Sequence, residues 1–145
     1  SGGVTMATNS GTIIAGHNNA LGTGTFLYNG NNIQLIILDG ITISNALNAG
    51  GSGAQERTLT LSAGATSATY AGSIAIGDNL LLRVVDSGSN FVISGNMTGA
   101  SNLNKDGDGR ATLTGNNTFT GATTISAGTL QAVPLSINQA TYRRR

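Results

Sequence analysis

The chain has no cysteine and no tryptophan, one histidine, one proline, and charge on only 9% of its 145 residues. Each shortage excludes something. Without cysteine there is no disulfide framework and no thiolate metal site. A lone His17 builds neither a Ser-His-Asp triad nor a histidine-rich metal centre, and Gly16-His17-Asn18-Asn19 reads as an exposed corner. The apolar runs Leu35-Ile36-Ile37-Leu38 and Leu80-Leu81-Leu82 are far too short to span a bilayer, and no apolar leader follows Ser1. The net charge of +1 rests on Arg143, Arg144 and Arg145. Apart from them the body carries no basic stripe, so nucleic acid is not an expected partner. Residues 1–140 read as one domain and 141–145 as a basic tail, solvated or marking a processing boundary.

What is abundant is small and uncharged. Gly, Asn, Ser and Thr fill about half of the positions, 22 of them Gly, while 39% of the chain is still hydrophobic. Disordered chains pair few β-branched residues with high charge, and helical bundles need Leu, Ala, Glu and Lys at helical spacing; neither description fits. Short strand-like runs recur instead, at 24–28, 33–38, 41–44, 57–62, 73–76, 80–85, 91–94, 111–114, 123–126 and 129–133, each bounded by Gly, Asn, Asp or Ser. Arg57-Thr58-Leu59-Thr60-Leu61 alternates strictly, with the leucines on one face and the threonines on the other. The intervening pieces resemble corners more than reversals. These features predict an all-β chain folded as a parallel β-solenoid, with inward ladders of Leu, Ile and Val, outward ladders of Thr and Ser, and stacked Asn at corners. At roughly 20-odd residues per coil the chain makes about six or seven coils.

Internal echoes agree with repetition. Thr69–Ile76 resembles Thr118–Ile125, each after a strand that starts at an arginine (Arg57 and Arg110). Gly11-Thr12-Ile13 echoes Gly128-Thr129-Leu130, and Gly3–Met6 echoes Gly121–Thr124. Matching ends predict a homopolymer, one copy stacking head-to-tail on the next through the open ends of the solenoid, or a segment excised from a longer solenoid.

The stretch Leu113-Thr114-Gly115-Asn116-Asn117-Thr118-Phe119-Thr120-Gly121-Ala122-Thr123-Thr124-Ile125-Ser126-Ala127-Gly128-Thr129-Leu130 resembles the autotransporter-associated β-strand repeat, also called the passenger-associated transport repeat. Asn18–Gly24 and Thr58–Ser62 resemble segments that accompany it. The resemblance implies a right-handed parallel β-helix on a bacterial protein that is exported to the cell surface or beyond, and it marks a scaffold more than an activity. Within the stretch, Phe119, Gly121, Thr123 and Ile125 share parity, and Gly121 and Gly128 suit corners that a Cβ would resist.

Few constellations carry chemistry. Lys105-Asp106-Gly107-Asp108-Gly109-Arg110 is the one dense charged cluster. Asp106 and Asp108 are the candidate metal ligands, as part of a calcium loop, but further oxygen ligands and a closing Glu are missing, so the favoured reading is a solvated turn between Lys105 and Arg110. No cofactor is expected. Asp39, Asp78 and Asp86 are scattered beside turn residues, which speaks against the clustered groups that a polysaccharide-cleaving β-helix needs. The expected function is a non-enzymatic extracellular structural or adhesive solenoid, a fibre subunit or part of a larger surface passenger. The alternative is a binding module. A groove lined by Phe26, Tyr28 and Tyr70 would serve surface glycans, and an aligned plane of Thr23/Thr25, Thr58/Thr60, Thr112/Thr114 and Thr118/Thr120 would serve ice.

Overall fold

The computed structural model describes residues 2–7, 9–50, 56–133 and, as backbone, 142–144; Ser1 and Arg145 lie outside the described residues. The chain begins with β1 (Val4–Met6) and β2 (Gly11–Ala15). Four triplets follow: β3 (Phe26–Tyr28), β4 (Ile33–Ile37) and β5 (Thr42–Ile43); β6 (Leu47–Ala49), β7 (Arg57–Leu61) and β8 (Ser67–Tyr70); β9 (Ile74–Ile76), β10 (Leu80–Val84) and β11 (Asn90–Ile93); β12 (Met97–Gly99), β13 (Leu103–Asp106) and β14 (Arg110–Leu113). β15 (Thr123–Ile125), β16 (Thr129–Ala132) and β17 (Tyr142–Arg144) complete the order.

Every strand pairs in parallel with the strand one coil away, and the result is a three-walled solenoid. Wall A is β1-β3-β6-β9-β12, wall B is β2-β4-β7-β10-β13-β15-β17, and wall C is β5-β8-β11-β14-β16. A further stretch extends wall A without regular strand geometry: the amides of Thr118 and Thr120 donate to the carbonyls of Met97 and Gly99, at 2.8 and 2.9 Å. The solenoid thus has about five turns with all three walls in place, slightly fewer than expected, and wall B alone runs further at both ends. Among the described residues there is no helix.

The ten runs read as strands are all strands, trimmed or shifted by a residue or two at their ends. β1, β2, β6, β8, β12, β13 and β17 escaped that reading. β6 and β12 show why: Leu47-Asn48-Ala49 and Met97-Thr98-Gly99 each hold one large apolar residue, too little for a period of two to register. The expected tail is also revised. Residues 142–144 add a strand to wall B, with Tyr142, Arg143 and Arg144 opposite Thr123, Thr124 and Ile125.

Alternation sends every second side chain inward. On wall A, Phe26, Leu47, Ile74 and Met97 stack coil on coil; on wall C, Ile43, Tyr70, Ile93 and Leu113 do the same, and all eight are buried. Phe26 and Tyr28 meet edge to face at 4.9 Å. Each such aliphatic or aromatic side chain contributes about 1.5–3 kcal/mol by leaving water, so the axial ladders are the main source of stability.

The corners decide how closely coils stack. From wall C to wall A, Asn45, Gly72, Gly95 and Gly115 form a column. A Cβ on Gly95 would lie 1.8 Å from the Gly72 carbonyl oxygen, and one on Gly115 would lie 2.3 Å from that of Gly95. Only hydrogen fits there. From wall B to wall C, Gly107 and Gly128 take φ of +79° and +70°, a region that residues with a Cβ avoid.

Candidate functional site

The strand register puts two cations inside the solenoid. On the inner face of wall B one ladder climbs from Arg57 through Leu80 and Leu103 to Thr123; the next climbs from Leu35 through Leu59, Leu82 and Lys105 to Ile125. Arg57 and Lys105 therefore occupy positions of the kind that leucine fills elsewhere, and both are fully buried. A buried charge persists only when it is paired or hydrogen-bonded. Arg57 Nη2 lies 3.1 Å from Asp78 Oδ2, at the wall A to wall B corner of the next coil. Lys105 Nζ donates to the carbonyls of Asp106 and Gly107, both at 2.7 Å, and to that of Ala127 at 3.3 Å. Those carbonyls belong to the wall B to wall C corners of two successive coils, so the ammonium ties one corner to the next. Burial pushes the Lys105 pKa down to about 8, against the opposing pull of the Asp106 and Asp108 carboxylates. The reading of Lys105 as the flank of a solvated turn is corrected. Leu103-Asn104-Lys105-Asp106 is a strand, and its parity puts Leu103 and Lys105 on the inner side.

The scattered acids and amides are braces between coils. Asp39 Oδ1 accepts the amides of Thr66 and Ser67, at 2.8 and 3.0 Å, one coil further on. These bonds favour the carboxylate and lower the Asp39 pKa. Asp86 Oδ2 accepts the amide of Gly64 at 2.6 Å. Asn79 and Asn102 follow the same rule, their side-chain oxygens accepting the amides of Asn102 and Ala122, at 3.3 and 3.0 Å. Asn45 Nδ2 donates to the carbonyls of Gly22 and Gly24, and Asn117 Oδ1 accepts the buried amide of Met97 at 2.9 Å. A side-chain amide thus replaces a ladder bond where the chain turns.

The candidate binding groups fare differently. His17 is exposed, and its Nδ1 accepts the amide of Asn19. Asp106 points outward from wall B, pairs with Arg83 at 3.4 Å and accepts the amide of Gly107, while Asp108 is exposed at the corner. Among the described residues no three His, Cys, Asp or Glu side chains gather in one place. Phe26, Tyr28 and Tyr70 are buried inside, so the aromatic groove imagined for glycans does not exist. Tyr28 donates its hydroxyl to the carbonyl of Thr58 at 2.9 Å, and burial pushes the pKa of both tyrosines up. The threonine pairs do not form a plane either: Thr58/Thr60 belong to wall B, Thr112/Thr114 to wall C and Thr118/Thr120 to wall A, and Thr23/Thr25 precede β3.

One surface feature was not foreseen. Across the outer face of wall B runs an open groove of about 340 Å³, lined by Glu56, Leu81, Arg83, Asn104, Asp106 and Thr124 among others. Asn104 Nδ2 donates to Glu56 Oε2 across two coils, at 2.7 Å. Sequence separation hid this grouping, because wall B returns only once per coil.

Residues 103–132 match the passenger-associated-transport-repeat family. This chain is a β-solenoid that carries that repeat. The match begins at β13 and ends at β16, so it traverses wall B, wall C, the Thr118–Thr120 stretch of wall A, and walls B and C again. It opens ten residues before Leu113 and so takes in Lys105, with its three carbonyl partners, as well as the glycine corners at 115, 121 and 128. No curated protein and no solved structure matches the chain. Three-walled parallel stacking and the transport repeat together fit a passenger-type structural domain. No helix among the described residues is long and apolar enough to cross a membrane.

Proposed function

We propose that this solenoid is a non-enzymatic structural segment of an exported passenger, working at the cell surface or outside the cell, and that it extends by stacking another parallel coil on its ends. The observation that carries the reading is the state of the end strands. β1, β2 and β5 terminate the three walls on one side, and the Thr118–Thr120 stretch, β17 and β16 terminate them on the other. Among the described residues each end segment is paired on one edge, and a parallel wall accepts a further strand at the same spacing of about 4.8 Å without changing the fold. Ile14 on β2 is 61% exposed, and Val4 and Ile13 are only partly covered, so a coil laid on this end would remove apolar surface from water.

The sequence echoes do not decide the register of such stacking. Gly11–Ile13 lies on wall B and its echo at 128–130 runs into wall C; likewise, Thr69-Tyr70 closes wall C while Thr118-Phe119 lies on wall A. The echoes are one wall out of phase. A contact between copies is heterologous and does not close, which makes a filament. Electron microscopy and light scattering of the purified chain test this. Unbranched filaments that grow with concentration support self-stacking; a monomer that persists at high concentration removes the fibre reading and leaves the stacked coil as another part of a longer chain.

A further inference from the structure

Independently of end stacking, we propose that Asn29 is a site of spontaneous modification, where the folded chain converts its own asparagine to aspartate and isoaspartate. Asparagine is among the thermolabile side chains, and the residue after it sets the rate. The backbone nitrogen of that residue loses its proton and attacks the side-chain carbonyl carbon. The carbon–nitrogen bond of the side-chain amide breaks, ammonia leaves, and a succinimide ring remains. Water then opens the ring at either carbonyl. One opening gives aspartate; the other routes the main chain through the side chain and gives isoaspartate. Water is the one co-reactant, and nothing is oxidised or reduced. The attacking nitrogen needs freedom from hydrogen bonds and room to swing, which glycine, lacking a Cβ, provides best.

Asn29-Gly30 is the one Asn-Gly pair in the sequence, and it opens the corner between β3 and β4. Asn29 is exposed, and with Leu27, Asn48 and Gly50 it lines an open hollow of about 290 Å³, so water enters and ammonia departs. Its own amide donates to the carbonyl of Met6 at 2.9 Å, which anchors residue 29, whereas the Gly30 amide makes no hydrogen bond among the described residues. Competing sites are tied down. Leu80, Leu103 and Thr118, which follow Asn79, Asn102 and Asn117, donate their amides to the carbonyls of Asn102, Ala122 and Met97. Met97, after Asn96, donates to Asn117 Oδ1. Aspartate before glycine can close the same ring with loss of water, yet Gly40 and Gly109 donate to the carbonyls of Ser67 and Val84, and Asp106, ahead of Gly107, is a carboxylate paired with Arg83. Only at residue 29 do an exposed side-chain amide and an unengaged glycine nitrogen coincide. Both products put a new carboxylate into a hollow lined by uncharged groups, and isoaspartate adds one backbone carbon to the short link, residues 29–32, between the buried Tyr28 and Ile33. Conversion therefore loosens one corner as the protein ages.

The test is peptide mass spectrometry of the whole folded chain, kept for days in mildly alkaline buffer, with fragmentation that distinguishes isoaspartate from aspartate. A gain of about one dalton at residue 29, faster than at any other asparagine and rising with pH, is expected. Gly30→Ala should slow it several-fold, and Asn29→Gln should remove it. Circular dichroism shows that each variant is folded, and a parallel incubation in urea gives the rate without the fold. Three results overturn the proposal: residue 29 stays intact in the folded chain while it converts in urea, another asparagine converts faster, or folded Gly30→Ala converts at the parent rate.

Discussion

The coils that match the transport repeat and the coils before them share walls but differ in the length of their turns. From β11 onward the step between stacked partners is short: Asn90 to Arg110 is 20 residues and Arg110 to Thr129 is 19. Earlier the step is longer, 24 from Gln34 to Thr58 and 27 from both Thr42 to Thr69 and Leu47 to Ile74. Strand lengths hardly change, so the extra residues sit in the turns. Where the turn is minimal, glycine at 95, 115, 121 and 128 lets backbone press on backbone, and a Cβ at any of the four would meet a carbonyl oxygen at 1.8–2.3 Å. Where the turn is long, Asp39 and Asp86 reach across to hold it. A recognisable motif arises when the corner leaves no room for alternatives, because tight packing restricts sequence more than a braced loop does.

This comparison can be broken by mutation. Leu113→Asp, in the tight region, places an unpaired charge in a closed ladder and should cost about 4 kcal/mol or more. Ile13→Asp, on the partly covered ladder of β2, should cost much less, and urea melts of the two variants check the ranking. Equal losses would show that both regions are packed alike.

Asp78→Ala removes the ion-pair carboxylate from beside a fully buried guanidinium and should destabilise by about 3–5 kcal/mol. Arg57→Leu restores an apolar rung and should cost far less. If Arg57→Leu proves the worse of the two, the ion pair contributes more than its replacement by packing.

Gly115→Ala forces a methyl group against the carbonyl of Gly95 and should cost about 2–3 kcal/mol. Gly88→Ala, at a turn where a Cβ meets nothing within 4 Å, should lie within about 0.5 kcal/mol of the parent. Thermal melts suffice for both.

Lys105 sharpens the comparison through pH. Its folded pKa, about 8, lies below the ordinary 10.5, so between those values the unfolded chain binds more protons than the folded one. Stability should therefore rise from pH 8 towards pH 10, and it should lose this increment as pH falls to 8. Tyr28 and Tyr70 act oppositely above pH 10, because their raised pKa values keep them protonated only in the folded chain. Lys105→Met should flatten the rise below pH 10; denaturant titrations at several pH values decide. The smallest effect belongs to Asp39. Its lowered pKa means that its stabilisation is present above the ordinary carboxylate value and is lost as pH falls through the lowered one, and Asp39→Asn should shrink that acid-side loss slightly.

Much of this architecture was legible in one dimension. The alternation of Arg57–Leu61, the glycine-bounded runs and the missing helical period reflect local rules, since a strand's two faces are set by parity alone. The inward set at Phe119, Thr123 and Ile125 followed from the same parity. What parity cannot supply is phase around the axis. All three walls use the same strand-and-corner grammar, so the internal echoes slip by one wall, and only hydrogen-bonded register assigns a segment to A, B or C. The inward cations were hidden for a related reason: Lys105 resembles a turn lysine until stacking on Leu82 and Ile125 shows that it replaces a core residue. The groove over Leu81 was hidden because Glu56 and Asn104, 48 residues apart, meet only after two full coils. Local sequence determined strands, corners and the buried face; the stacking of coils, a matter of long-range backbone pairing, decided which residues are neighbours.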